Sequence, residues 1–337
     1  MIKKKYNFLV SGASGFIGMM LIKELLERGH NVYGLVRRNN NYFNNKNYTN
    51  IVIEDISKNI DFNKNIRIDY FYHLAAKTHD RTNNDDEYFR VNVLGLKNIL
   101  SYVSKLKISK IIMLSSIKVN GEGFNTNDKV YSIHSKLNPK DAYGRSKLEA
   151  ENLLKEFCKI NNINYVILRP PLVYGAGVKG NLSSLMNLID KNIPMPIVKT
   201  NNMRSLISLT NLVDALIVVG LSNEIINKIY LIADDLPVKV EDLYKKIANS
   251  MDKKLFLINI PSKFLKVLLW PLGKAKLVDK ISTSLIVDNT DIKNDTHWKD
   301  NSSFLPASIS KTLILEFSDN LLAIVAPVEP APIIIKS

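Results

Sequence analysis

The short apolar run Asn7-Phe8-Leu9-Val10-Ser11 leads directly into Gly12-Ala13-Ser14-Gly15-Phe16-Ile17-Gly18. An amphipathic stretch at 19–28, closed by Gly29, follows at once. Three glycines at intervals of three, between a strand and a helix, leave few ways to fold. They permit a tight turn, close approach of the backbone to a diphosphate, and close packing of the helix on the strand. The free N–H groups that open a helix then face the anion. A glycine-rich turn alone implies no ligand. The strand before it and the helix after it make a phosphate cradle the stronger reading, with Gly12, Ser14, Gly15, Phe16, Ile17 and Gly18 as contacts.

Further apolar runs at 31–36, 50–53, 70–74, 110–115 and 165–169 alternate with helical patterns at 87–105 and 143–159. Strands that are apolar throughout, separated by helices, predict a doubly wound α/β domain, a parallel sheet covered on both faces. After Pro170 and Pro171 the chain turns irregular at Gly175, Gly177 and Gly180. Ligands of such sheets sit beyond the carboxyl ends of the strands, so this loop is expected to line the site. Helical patterns at 211–221 and 240–248 and a strand at 228–232 make a smaller, mixed C-terminal substrate region. The expected division is a dinucleotide-binding domain at 1–170, an interleaved substrate region at 171–299, and an atypical tail at 300–337 that is loosely packed.

Composition narrows the partners. At 337 residues and 46% hydrophobic, the chain has ample material for a core. The single Cys158 excludes an internal disulfide and a cysteine-built metal site, and His30, His134 and His297 show no ligand spacing. No metal is expected. The +14 charge admits a nucleic acid, an anionic membrane or an anionic small molecule. No basic cluster is interleaved with aromatics as in single-strand binders, so nucleic acid is the outsider. Lys3-Lys4-Lys5 before an apolar run imitates a secretory signal, but the glycines interrupt it. The longest apolar stretches, at 264–272 and 321–335, are short or broken by Pro327, Pro330 and Pro332. A cytoplasmic protein without a membrane partner is expected.

At the end of the second strand, NAD binders carry a carboxylate for the ribose hydroxyl. Here the residues are Val36-Arg37-Arg38. Guanidinium groups suit a 2′-phosphate, so NADP(H) is favoured, with NAD(H) as the alternative. Asp55 with Ile56, after the third strand, is placed against the adenine.

Tyr143 and Lys147 stand four apart on a predicted helix and share one face. A free phenol, with a pKa near 10, is a poor acid–base group at neutral pH. A nearby ammonium and an oxidised nicotinamide would stabilise the phenolate. Ser115 and Ser116 end a strand, where a hydroxyl reaches a substrate oxygen.

Residues 11–18, His73-Leu74-Ala75-Ala76, Ser115-Ser116, 143–147, 169–175 and 211–215 together resemble an extended, Rossmann-type short-chain dehydrogenase/reductase of the nucleotide-sugar epimerase/dehydratase family. The resemblance implies that Ser116, Tyr143 and Lys147 are the catalytic triad, and that Lys147 holds the nicotinamide ribose. It also implies that Leu74, Ala75, Ala76 and Pro170 line the cofactor groove, and that Asn92 supports the site. Arg204 stands where the family pairs an arginine with the nucleotide diphosphate; Asn181, Lys179 and His79 are weaker substrate candidates. A homodimer through the helices at 87–105 and 143–159 is a further implication.

Two departures narrow the reaction. Dehydratases carry Asp-Glu after the catalytic Ser or Thr, whereas Ile117-Lys118 stands here. Typical 4-epimerases carry an acid after the second strand and an Asn where this chain has Leu172. The segments 115–122 and 169–181 look most like the branch containing UDP-N-acetylquinovosamine dehydrogenases. The expected reaction is therefore NADPH-dependent reduction of a UDP-4-keto-6-deoxy-N-acetylhexosamine for bacterial surface polysaccharide. A UDP-hexose 4-epimerase is the alternative, and a non-catalytic nucleic-acid binder the outsider.

Overall fold

The computed structural model describes residues 4–39, 43–58, 60, 66–78, 84–126, 129–175, 181–197, 202–270, 278 and 282–300. In its first half the strands are β1 (Asn7–Ser11), β2 (Asn31–Val36), β3 (Tyr48–Val52), β4 (Tyr70–His73), β5 (Lys110–Leu114) and β6 (Asn164–Arg169). Shorter strands follow: β7 (Leu172–Tyr174), β8 (Met195–Ile197), β9 (Met203–Arg204), β10 (Leu206–Ser208), β11 (Lys228–Leu231), β12 (Val238–Lys239) and β13 (Leu257–Asn259). Seven of them make one parallel sheet in the order β3-β2-β1-β4-β5-β6-β11. Growth of the sheet reverses direction at β1. The crevice between the carboxyl ends of β1 and β4 is thus the switch point where such folds bind ligands.

The helices are α1 (Phe16–Glu27), α2 (Asp85–Phe89), α3 (Gly95–Val103), α4 (Ala142–Asn161), α5 (Asn181–Asp190), α6 (Leu209–Leu221), α7 (Val240–Ser250), α8 (Ser262–Leu269) and α9 (Thr290–Thr296). Alternation along β1 divides the core. Phe8 and Val10 pack with Leu21 and Leu25 of α1 and Leu212 and Leu216 of α6. Leu9 faces the other way, with Leu96 and Leu100 of α3 and Leu154 and Cys158 of α4. Each such fully buried side chain contributes about 1.5–3 kcal/mol relative to exposure. Cys158 is a buried thiol that fills this second layer.

The expected helix at 87–105 is interrupted. Arg90–Leu94 forms a π-helical turn, with the Gly95 N–H reaching back to the Arg90 carbonyl. The extra residue in that turn leaves Asn92 buried among polar partners. The strand at 228–232, assigned from sequence to the substrate region, joins the main sheet beside β6 as β11. The other strands of the second half form small pairs: β7 with β10, β9 with β12 and β8 with β13. The chain from 284 to 298 returns to the first half. Ser284 bridges Phe124 and Val287 bridges Tyr131, while Ile292 and Trp298 enter the core beside α6. The expected loose tail lies almost wholly outside the described residues. Among the described residues, no helix is long and apolar enough to cross a membrane.

Candidate active site

β1 ends at Ser11, and Gly12 follows with φ at +71°, a conformation L side chains avoid. A Cβ there would stand 2.8 Å from the Ala75 amide nitrogen, and one on Gly18 would stand 2.2 Å from the Gly12 carbonyl oxygen. Glycine at both positions lets the turn lie against the loop after β4 and the helix against the turn. Ser11 Oγ accepts from the Ala75 N–H at 3.3 Å and lies 2.9 Å from His73 Nδ1, which locks β1 to β4. α1 then starts at Phe16 with no side-chain cap on its N-terminus. A backbone cradle closed to side chains, under a helix start that no side chain caps, fits a dinucleotide diphosphate. Ser14 and Gly15 are exposed there, and Phe16 and Ile17 half-buried.

Leu74, Ala75 and Ala76 are half-buried along the crevice. Arg37 and Arg38 are exposed just beyond β2. Asp55 is already engaged: it accepts from Arg90 Nη1 at 2.8 Å and from the Ser57 hydroxyl and N–H at 2.7 and 2.9 Å. These bonds, Ser57's first, bring its carboxyl down to about 2. Ile56 packs on Gly95 at the start of α3. The π-turn amide of Asn92 receives the Lys77 N–H at 2.7 Å and donates to Ser146 Oγ at 2.9 Å. It thereby ties the loop after Ala76 to α4.

Ser116 Oγ accepts from the Lys118 N–H at 3.2 Å and starts a single 3-10 turn, Ile117–Val119. Asp141 caps α4 through the Gly144 N–H at 2.8 Å, so Tyr143 lies in the first helical turn and Lys147 in the next. The Ser116 side chain acts on the Tyr143 hydroxyl to lower its pKa. Burial nevertheless pushes the phenol up to about 12, with Asp141 and Tyr88 adding to the rise. The lowering expected from Lys147 is therefore not present in the protein alone. Lys147 is itself buried and donates to the Leu114 carbonyl at 2.7 Å, and burial brings it down to about 8. The cation over the Tyr143 ring is instead Lys118, 5.7 Å from the centroid and ion-paired with Asp141. Pro170, buried, accepts the Ile117 N–H at 2.9 Å, which holds the serine turn to the end of β6.

Arg204, half-buried on β9, donates to Thr283 Oγ1 at 3.3 Å. Burial lowers its pKa, against the charge of Glu122. Asn181 begins α5, but its side chain lies outside the described part, as do His79 and Lys179. Among the described residues no group of three or more His, Cys, Asp or Glu is placed to hold a metal ion.

Sequence reasoning missed a buried polar cluster under the site. Glu151 of α4 accepts from Arg169 Nε and Nη2 at 2.9 and 2.6 Å and from the Ser115 hydroxyl. Arg169 Nη1 reaches Asn120 Oδ1 at 3.2 Å. Glu151 follows Lys147 by four residues, so helical spacing alone places it on the same inward stripe.

Comparison with known proteins agrees with this geometry. Residues 8–233 match the model of the NAD dependent epimerase/dehydratase family. The chain is 33% identical over 312 residues to a UDP-glucose 4-epimerase of Vibrio cholerae, covering 88% of this chain and 92% of that one. The fold is similar to a Thermotoga maritima UDP-glucose 4-epimerase solved with UDP-glucose, at a TM-score of 0.72 and 20% identity, over 94% and 99% of the two chains. It is also similar to a Bacillus cereus UDP-glucuronic acid 4-epimerase solved with NAD, at 0.72 and 19% identity, over 91% and 94%.

Proposed function

The chain belongs to the NAD dependent epimerase/dehydratase family, and on that premise we propose that it oxidises and re-reduces C4 of a UDP-linked hexose, as a 4-epimerase. The observation that carries the reading is Ser116 acting on the Tyr143 hydroxyl, with buried Lys147 one helical turn on and bonded to the carboxyl end of β5. Nicotinamide, when bound, supplies the hydride acceptor and donor. Tyr143 takes the proton of the C4 hydroxyl and returns it, and Ser116 donates a hydrogen bond to the C4 oxygen. Lys147 holds the cofactor ribose and favours the phenolate. Gly12, Gly15 and the start of α1 hold the cofactor diphosphate, with Leu74, Ala75, Ala76 and Pro170 lining the groove. Arg204 and Asn181, with His79 as a weaker candidate, serve the substrate.

The similarity to the Vibrio cholerae enzyme, over most of both chains, supports epimerisation. One observation favours a second reading, net NADPH-dependent reduction of a UDP-4-keto-6-deoxy-N-acetylhexosamine. β2 ends at exposed Arg37 and Arg38 with no carboxylate for a ribose hydroxyl. A tightly kept NAD suits epimerisation, whereas an exchangeable NADPH suits net reduction.

One assay separates the two. Interconversion of UDP-glucose and UDP-galactose, or of their N-acetyl forms, without added reductant supports the epimerase. Steady NADPH consumption with the UDP-4-keto sugar, and no interconversion, supports the reductase. Neither activity, with no dinucleotide binding, overturns both. Under the second reading, Arg37→Ala weakens NADPH binding about tenfold or more and leaves NADH binding unchanged.

A further inference from the structure

The buried cluster beneath the site joins four pieces of chain. Glu151 comes from α4, two turns after Tyr143; Ser115 follows β5; Arg169 ends β6; Asn120 follows the serine turn. The Glu151 side chain is fully buried and that of Arg169 is 3% exposed. Both carboxylate oxygens are used, one by Arg169 Nη2 and the other by Arg169 Nε and Ser115. Losing either charged partner would leave the other buried and uncompensated. A fully dry ion pair is also poor evidence of selection for stability, since apolar side chains of similar volume often do as well. Its place is more informative. It lies one helical turn from Lys147 and is bonded to the residue beside Ser116.

We propose that Glu151 is a positioning residue for the C4 chemistry: its carboxylate keeps Lys147 charged and, through Ser115 and Arg169, holds the Ser116 turn against α4. The inference rests on the reading of Ser116, Tyr143 and Lys147 given above. The groups facing Lys147 decide its charge. The Leu114 carbonyl accepts from its ammonium on the β5 side. His73 on β4 is kept neutral there, its pKa held at about 3 by burial and by the Lys147 charge. Tyr143, one turn earlier on α4, is a neutral phenol. Arg169 is a cation that grips Glu151 through both carboxylate oxygens. Glu151 is the one carboxylate among these groups, and it opposes the burial that brings Lys147 down to about 8.

The test measures NADH and NADPH binding by fluorescence against pH, alongside turnover. Cofactor binding reports Lys147 even if the proposed sugar is wrong, so failure of the two readings is distinguishable. If Lys147 binds ribose as an ammonium, binding weakens as pH rises through its pKa. In Glu151→Gln that midpoint moves down by about one pH unit or more. Glu151→Asp keeps the wild-type midpoint. Because the Gln variant strands Arg169, the double variant Glu151→Gln/Arg169→Met supplies a control in which neither member of the buried ion pair is left uncompensated. The proposal expects it to regain thermal stability and still show the lowered midpoint. A stable double variant with the wild-type midpoint overturns the proposal and leaves the pair a structural feature. An unchanged midpoint in Glu151→Gln overturns it equally.

Discussion

At the scale of single residues, the site sets groups against their ordinary behaviour. Burial holds the Tyr143 phenol up at about 12 and Lys147 down at about 8. The protein alone thus presents a protonated phenol, and the change that makes it a base must come with ligands. Tyr143→Phe is expected to lower turnover by about 10²–10⁴-fold. Its thermal midpoint should move little, because the ring and its contacts with Tyr88 and Lys118 are kept; activity within tenfold of wild type would remove Tyr143 from the chemistry. His73 carries a second test. Its folded pKa, about 3, lies below the unfolded value near 6.5, so between those values the unfolded chain binds the extra proton. Stability therefore falls as pH drops through that window, by at most about 1.4 kcal/mol per pH unit. Urea midpoints of His73→Gln between pH 6.5 and 4.5 should fall less steeply than those of wild type.

At the scale of elements, α4 does most of the positioning. Its start is fixed twice over, by the Asp141 cap on Gly144 and by the ion pair between Asp141 and Lys118. The pair spans from the serine turn to the tyrosine helix. Asp141→Ala should cost about 1–2 kcal/mol in urea unfolding and reduce turnover, whereas Asp141→Asn, which keeps a capping oxygen, should recover most of the stability. Equal losses in the two variants would show that the ion pair outweighs the cap. Lys118 also shows how one sequence position is reused. Where the resemblance places the carboxylates of dehydratases, this chain has Ile117-Lys118, and the Lys118 ammonium stands over the Tyr143 ring. The π-helical turn is the other element-scale device. An unbroken helix would turn Asn92 off the line between Lys77 and Ser146, so the interruption places a bridging amide.

Across the whole molecule, residues far apart in sequence close the core. Trp298 is 3% exposed and packs with the α6 layer, so Trp298→Ala should cost about 3–5 kcal/mol in denaturant unfolding. A loss below 1 kcal/mol would mean that 284–298 is a peripheral strap. The sequence by itself determined the parallel α/β sheet, the glycine cradle and the Tyr143–Lys147 stripe. Those follow from continuous apolar runs, a helical period of 3.6 and glycine's missing Cβ, which act over a few residues. Helical spacing also put Glu151 on the stripe, but its meaning stayed hidden because its partners Ser115, just after β5, and Arg169, on β6, are distant in sequence. Only the tertiary structure decided that β11 completes the main sheet, that Asp55 is paired with Arg90, and that Lys118, rather than Lys147, stands over Tyr143. Each depends on which distant segments meet, and on the burial that follows, since desolvation and charge pairing are properties of the packed molecule and not of the chain's local pattern.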